Sequence, residues 1–226
     1  MNYIQQLGAA AKAAEKHTAG LNSSQKNDAL ALIAERLLQN AELIKTQNSK
    51  DIANARSNNM SEAFIDRLTL TDARIAGMAE GVRQVQALPD PVGEVLGGGD
   101  LANGLSIVKK RVPLGVIGII FESRPNVTVD AAVLCLKSGN VCILRGGSDA
   151  IHSNLCLTQI MRQALADCGL PQDAVALVED TSRETASELM KMREYIDVLV
   201  PRGGGGLISA VVNNATIPVI ETGEGI

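Results

Sequence analysis

The stretch VPLGVIGIIFESRPNVTVDAAVLCLKSGNVCILRGGSD, residues 112–149, decides the fold. Val116 to Phe121 is a short apolar run that reads as a strand, and Val127 to Lys137 has helical spacing up to Gly139-Asn140. Val141 to Arg145 is a second apolar run. Two strands that are apolar throughout and joined by a helix lie parallel and are covered on both faces. The order then repeats. Helix 152–167 closes at Gly169, strand 175–179 precedes helix 182–192, and strand 196–200 precedes helix 207–213 and a last strand, 217–221. The expected class is α/β, with a Rossmann-like, mostly parallel sheet.

Such sheets bind ligands beyond the carboxyl ends of their strands. Three segments meet there: FESRPN (121–126), RGGSD (145–149) and PRGGGG (201–206). Glycine costs backbone entropy between packed elements, so Gly203, Gly204, Gly205 and Gly206 call for a reason. One reason is a turn. The other is an anionic group near the backbone, because a glycine loop feeding a helix turns amides and the helix dipole toward a phosphate. The loop is neither a Walker A sequence nor a GxGxxG sequence. Arg145, followed by Gly146, Gly147 and Ser148, is either a solvated strand-end arginine or a reader of a 2′-phosphate. Arg202 sits at the edge of the tetraglycine. Asn126 or Thr128 caps the helix after FESRP, or Asn126 turns its amide into the site as an oxyanion donor.

The first ninety residues read as helices. Leu30, Ile33, Leu37, Ala41 and Ile44 form one stripe of a long helix capped by Ser23 or Ser24, with shorter helical pieces at NSKDIANAR and SEAFIDRL. Thr71 opens another helix, which Leu88-Pro89 ends. Residues 90–112 read as two strands around a glycine-rich turn, Gly97 to Gly104, with Gly97-Gly98-Gly99 as plain loop.

Hydrophobic residues make up 46% of the 226 residues, enough for a sizeable core. A net charge of −4, no Trp, two Phe and two Tyr argue against nucleic acid and anionic membrane as partners. Cys135, Cys142, Cys156 and Cys168 are scattered, form no CxxC pair and indicate neither metal nor disulfide framework. No signal-peptide core or transmembrane run is present, so the expected compartment is the cytoplasm.

The residues also carry a resemblance. RPNVTVD, IDVLVPRGGGGLI, TIPVIETGEG and the N-terminal SEAFIDRLTLTDARIAGMAEGVRQVQALPDPVGEV closely resemble the gamma-glutamyl phosphate reductases. More distantly, PLGVIG followed by GNVCILR is similar to the aldehyde dehydrogenase superfamily. The resemblance implies NADPH-dependent reduction of L-glutamyl 5-phosphate to L-glutamate 5-semialdehyde and phosphate, the second step of proline synthesis from glutamate. It implies NADP as cofactor, held by Arg145, Gly146, Gly147, Ser148, Arg202 and Gly203 to Gly206, with Asn126 as oxyanion donor. It also implies a functional link to glutamate 5-kinase and a homo-oligomer at full length. Residues 1–226 then form an NADP-binding domain, with a helical segment 1–89, hairpin strands 90–112 and the Rossmann-like part 113–226. The family's nucleophilic cysteine, which forms a thioester, is expected in a domain beyond residue 226, since none of the four cysteines here has its context. Glu221 stands where hydrolytic relatives carry a general base. The competing readings are a nucleotide-binding module without catalysis and another acyl or aldehyde dehydrogenase.

Overall fold

Two asparagines set the helical start. Asn2 caps α1 (Tyr3–Ala19) and Asn22 caps α2 (Ser23–Gln39), each in a reciprocal capping box with a glutamine three residues on. The cap of α2 is therefore Asn22 rather than a serine, because an amide side chain satisfies the donors that Ser23 and Ser24, inside the first turn, cannot reach. The expected long helix is also two. The Asn40 side chain donates 2.8 Å back to the Arg36 carbonyl and ends α2, and α3 (Ala41–Ser57) continues the stripe with Ile44. Ser61 caps α4 (Glu62–Leu68), and Thr71 caps α5 (Asp72–Ala87) as expected.

The computed structural model describes residues 1–221. Strands β1 (Val95–Asp100) and β2 (Ser106–Lys110) form an antiparallel ribbon exposed on both faces. Gly97, Gly98 and Gly99 lie within β1, not in the turn. Gly98 is drawn so close to the Ile107 backbone that a side chain there would strike it. The other four strands are β3 (Val116–Phe121), β4 (Val141–Arg145), β5 (Val175–Leu177) and β6 (Val198–Arg202). They form one parallel sheet in the order β5-β4-β3-β6. The expected last strand is reduced to a single rung, Leu199 against Val219, in which the Leu199 amide donates to the Pro218 carbonyl and the Ile220 amide to the Leu199 carbonyl, each at 2.9 Å.

Helices α6 (Pro125–Lys137) and α7 (Ile151–Asp167) carry the chain from β3 to β4 and from β4 to β5, two steps in one direction. The segment containing α8 (Arg183–Leu189) returns it across the sheet to β6, which leads into α9 (Gly205–Asn214). Right-handed crossovers put α6 and α7 on one face and α8 on the other, where α1 joins it. Helices α2, α3 and α5 pack outside α6 and α7 as a third layer. Strand order reverses between β3 and β6, which makes their carboxyl ends the switch point of the sheet.

The third layer reaches the rim through buried polar groups. Asp51 of α3, 1% exposed, accepts from the amides of His152 and Ser153 (3.1 and 2.8 Å) and from the Ser153 hydroxyl (2.6 Å). It caps α7, whose own N-cap Ala150 has no side chain to do so. Asn48, one turn earlier, donates to Ser153 and to the Leu68 carbonyl and accepts from the Leu70 amide.

Removing a buried charged acceptor from three donors is expected to cost about 3 kcal/mol. Asp51→Ala should lower the urea midpoint accordingly. Glu80→Ala, which breaks an exposed pair with Arg83, should change stability by less than about 0.5 kcal/mol. Two equal shifts would show that this cap contributes nothing.

Candidate functional site at the carboxyl rim

The strand ends bring the three expected segments together. After β3, Glu122 and Ser123 reach sideways to both neighbours. The Gly204 amide donates to Glu122 Oε1 at 3.0 Å, and the Ser123 hydroxyl donates to Asp149 Oδ2 at 2.8 Å. Backbone bonds continue the tie, with the Glu122 amide donating to the Arg202 carbonyl at 3.2 Å.

These contacts explain two of the glycines. A β-carbon on Gly203 would lie 2.6 Å from Glu122 Cδ, and one on Gly147 would lie 2.7 Å from Ser123 Oγ. What comes near the tetraglycine backbone here is an anion belonging to the protein itself. Gly204 and Gly206 differ: a β-carbon on Gly204 would meet only Glu122 Oε1 at 3.6 Å, and one on Gly206 would meet nothing within 4 Å. The start of α9 is therefore open on the side where its first amides emerge. Arg202 is exposed at its edge.

Arg145 is half-buried at the end of β4. Its Nη2 donates to the Thr181 carbonyl at 2.8 Å, while its buried Nε has no partner among the described residues. Burial pulls its pKa down, opposed by the nearby Asp180. Part of the guanidinium fork is thus engaged, and part is an unsatisfied donor. Ser148 is exposed in a single 3₁₀ turn before α7.

Neither candidate cap closes α6, since Arg124 is the N-cap without a side-chain bond and Pro125 fills the first turn. Thr128 donates instead to buried Asn154 at 2.8 Å. Asn126 donates its amide to Asp130 Oδ2 at 3.0 Å, one turn along α6. It lines a cleft of about 960 Å³ beside β3 and β6, together with Glu122, Arg124, Arg202 and Gly204.

Cys135 and complete burial push Cys142 well above its ordinary pKa, and burial also raises Cys156 and Cys168. Cys135 lines the far end of the cleft, nine residues or about 13 Å along α6 from Asn126. Sequence reasoning missed Glu122, Ser123 and Asp149 as the groups that join the loops. Their only signal was polarity at a strand end.

The sequence pattern of the aldehyde dehydrogenase family matches residues 2–216. The chain belongs to the aldehyde dehydrogenase family. That family implies a nicotinamide cofactor. A curated relative from Carboxydothermus hydrogenoformans, gamma-glutamyl phosphate reductase, is 56% identical over the whole chain and 54% of its own length. The relative of that name from Lachnospira eligens is 53% identical over the same shares. The crystal structure of gamma-glutamyl phosphate reductase from Thermotoga maritima superposes with a TM-score of 0.97 at 42% identity. The match covers 99% of this chain and 54% of that one. A probable aldehyde dehydrogenase from Listeria monocytogenes, 16% identical with a TM-score of 0.74, shares the fold over 98% of this chain and 46% of its own. The chain spans about half the length of the curated relatives it matches.

The packing around the two loops sets a measurable contrast. Gly146→Ala would drive its methyl into buried Asn154 and the Phe121 ring, an overpacking expected to cost about 1–3 kcal/mol. Gly203→Ala displaces the exposed Glu122 side chain and with it the bond from the Gly204 amide, and should cost no more than about 1 kcal/mol. Thermal melts of both variants test the ordering, and a Gly203 variant as damaged as Gly146→Ala would contradict it.

Proposed function

We propose that residues 1–226 are the NADP-binding part of a gamma-glutamyl phosphate reductase, which reduces L-glutamyl 5-phosphate with NADPH to L-glutamate 5-semialdehyde and phosphate. The observation that carries this is the open start of α9 at the switch point, in a chain 56% identical to a reductase of that name. The residues fit a dinucleotide. The backbone of Gly204, Gly205 and Gly206 would hold the cofactor's pyrophosphate, with the Gly204 amide exchanging its bond to Glu122 for the phosphate. Arg202 adds charge at that edge. Arg145, with its unsatisfied Nε, takes the 2′-phosphate beside Gly146, Gly147 and Ser148. Bound there, NADPH supplies the hydride. Asn126 donates to the oxygen of the acyl group once it leaves Asp130. The nucleophilic cysteine belongs to a part of the enzyme beyond residue 226. The small-molecule substrate is the product of a glutamate kinase reaction, and the full-length enzyme is a homo-oligomer. The compartment is the cytoplasm, in keeping with the absence, among the described residues, of any helix long and apolar enough to cross a membrane.

Because one arm of Arg145 is committed to Thr181, its contribution to NADPH over NADH is about 1.5 kcal/mol, roughly tenfold. Dissociation constants for both cofactors should show that preference and its loss in Arg145→Ala. Gly204→Val, for which the chain has room, should weaken NADPH at least tenfold with the circular-dichroism spectrum kept. Equal affinities in the unaltered chain, or an unaffected Gly204→Val, would overturn the assignment.

The four thiols are buried or raised in pKa and lie away from Asn126, so the chain alone should not carry out acyl reduction. Phosphate-dependent NADP reduction with L-glutamate 5-semialdehyde is the assay. Turnover that vanishes when one of the four cysteines is replaced would contradict this placement of the nucleophile.

A further inference from the structure

The cleft beside β3 and β6 continues into a second hollow of about 610 Å³ between α5 and the start of α6. Arg67, Arg124, Asn126 and Asp130 line both spaces. Their charges are not spent on one another. Arg74, in the same hollow, is held by both Asp66 oxygens at 3.0 Å and by the Thr69 carbonyl at 2.8 Å, so it is a structural cation. Arg67 gives only its Nε, to the Ala63 carbonyl at 3.1 Å. Arg124 makes no side-chain hydrogen bond among the described residues, and neither arginine has a carboxylate within ion-pair reach there. Asp130 receives the Asn126 amide and, among the described residues, no cation.

Two uncommitted guanidinium groups therefore share a cleft with one uncommitted carboxylate. A phosphate or a simple dicarboxylate would satisfy the arginines but be repelled by Asp130. A group carrying both signs side by side satisfies all three. Burial already pushes the Asp130 carboxyl above its usual pKa, against the Asn126 hydrogen bond, and a cation beside it would relieve that cost.

We propose that Arg67, Arg124 and Asp130 form a specificity subsite for an α-amino-acid end of the substrate, the arginines taking its carboxylate and Asp130 its ammonium group. Asn126 and Asp130 are four residues apart, about 6 Å along α6, so once their mutual hydrogen bond opens they can take the two ends of a short dicarboxylic amino acid. This deepens the reading above and rests on it for the acyl end at Asn126.

The test titrates the 226-residue chain by calorimetry with L-glutamate and with glutarate, which lacks the amine, and with NADPH as a separate ligand. L-Glutamate should bind at least fivefold more tightly than glutarate. Asp130→Asn should abolish that preference without weakening glutarate, a signature that loss of packing would not give. Arg67→Gln and Arg124→Gln should weaken both acids about tenfold, and all three variants should keep the NADPH affinity and the melting temperature of the parent. An unaltered chain without preference for L-glutamate, or an Asp130→Asn chain that keeps it, would overturn the subsite. So would a parallel loss of NADPH affinity, which would place the cluster in the cofactor site. Amino-acid binding without NADPH binding would support the subsite and sink the cofactor reading instead.

Discussion

Glu122 and Ser123, the two residues after β3, hold the rest of the rim in place. One accepts from the Gly204 amide, the other donates to Asp149, and between them they tie the ends of β4 and β6 to the central strand. Each bond is modest in isolation, about 1 kcal/mol or somewhat more where a carboxylate takes part. Their importance is geometric. Without them the glycine loops would each be anchored at one strand end only. With them, the start of α9 and the turn before α7 are both tied to the end of β3. The buried Asp51 cap fixes α7 from the opposite side, so the third helical layer helps to position the loop after Arg145.

That arrangement changes what a run of glycines means. The anion expected near the backbone exists in the folded chain as the Glu122 carboxylate, and Gly203 is glycine because that side chain passes over it. A nucleotide phosphate that uses the Gly204 amide must exchange with Glu122. Part of its favourable interaction with the helix dipole is then offset by the hydrogen bond it replaces.

Much of the fold was legible because its signals are local. The apolar runs at 116–121 and 141–145 and the glycines after each helix placed the parallel sheet, and Thr71 and Leu88-Pro89 bounded α5 as read. The misses share a cause: each was decided by a hydrogen bond or a neighbouring segment that apolar spacing does not register. Asn40 ended a helix by bonding back to Arg36, which apolar spacing does not show. Gly97 to Gly99 lie in a strand because Ile107 to Lys109 pair with them. Val219 forms one rung and not a strand, since only Leu199 pairs with it. In the site, the three loops were legible from their place after strands. The clasp between them was not, because Ser123 and Asp149 are 26 residues apart. The charge balance around Asp130 needed Arg67, from a helix whose sequence looked like scaffold.

The central claim is that the carboxyl rim between β3 and β6 receives an anionic dinucleotide through the first amides of α9. The most direct measurement is an amide NMR titration of the 226-residue chain with NADP. The account predicts shifts concentrated at residues 204–207 and 146–148, with the β1–β2 ribbon and the hollow between α1 and α7 unmoved. A silent tetraglycine loop, or shifts centred on the hollow around Tyr3 and Arg162, would contradict it.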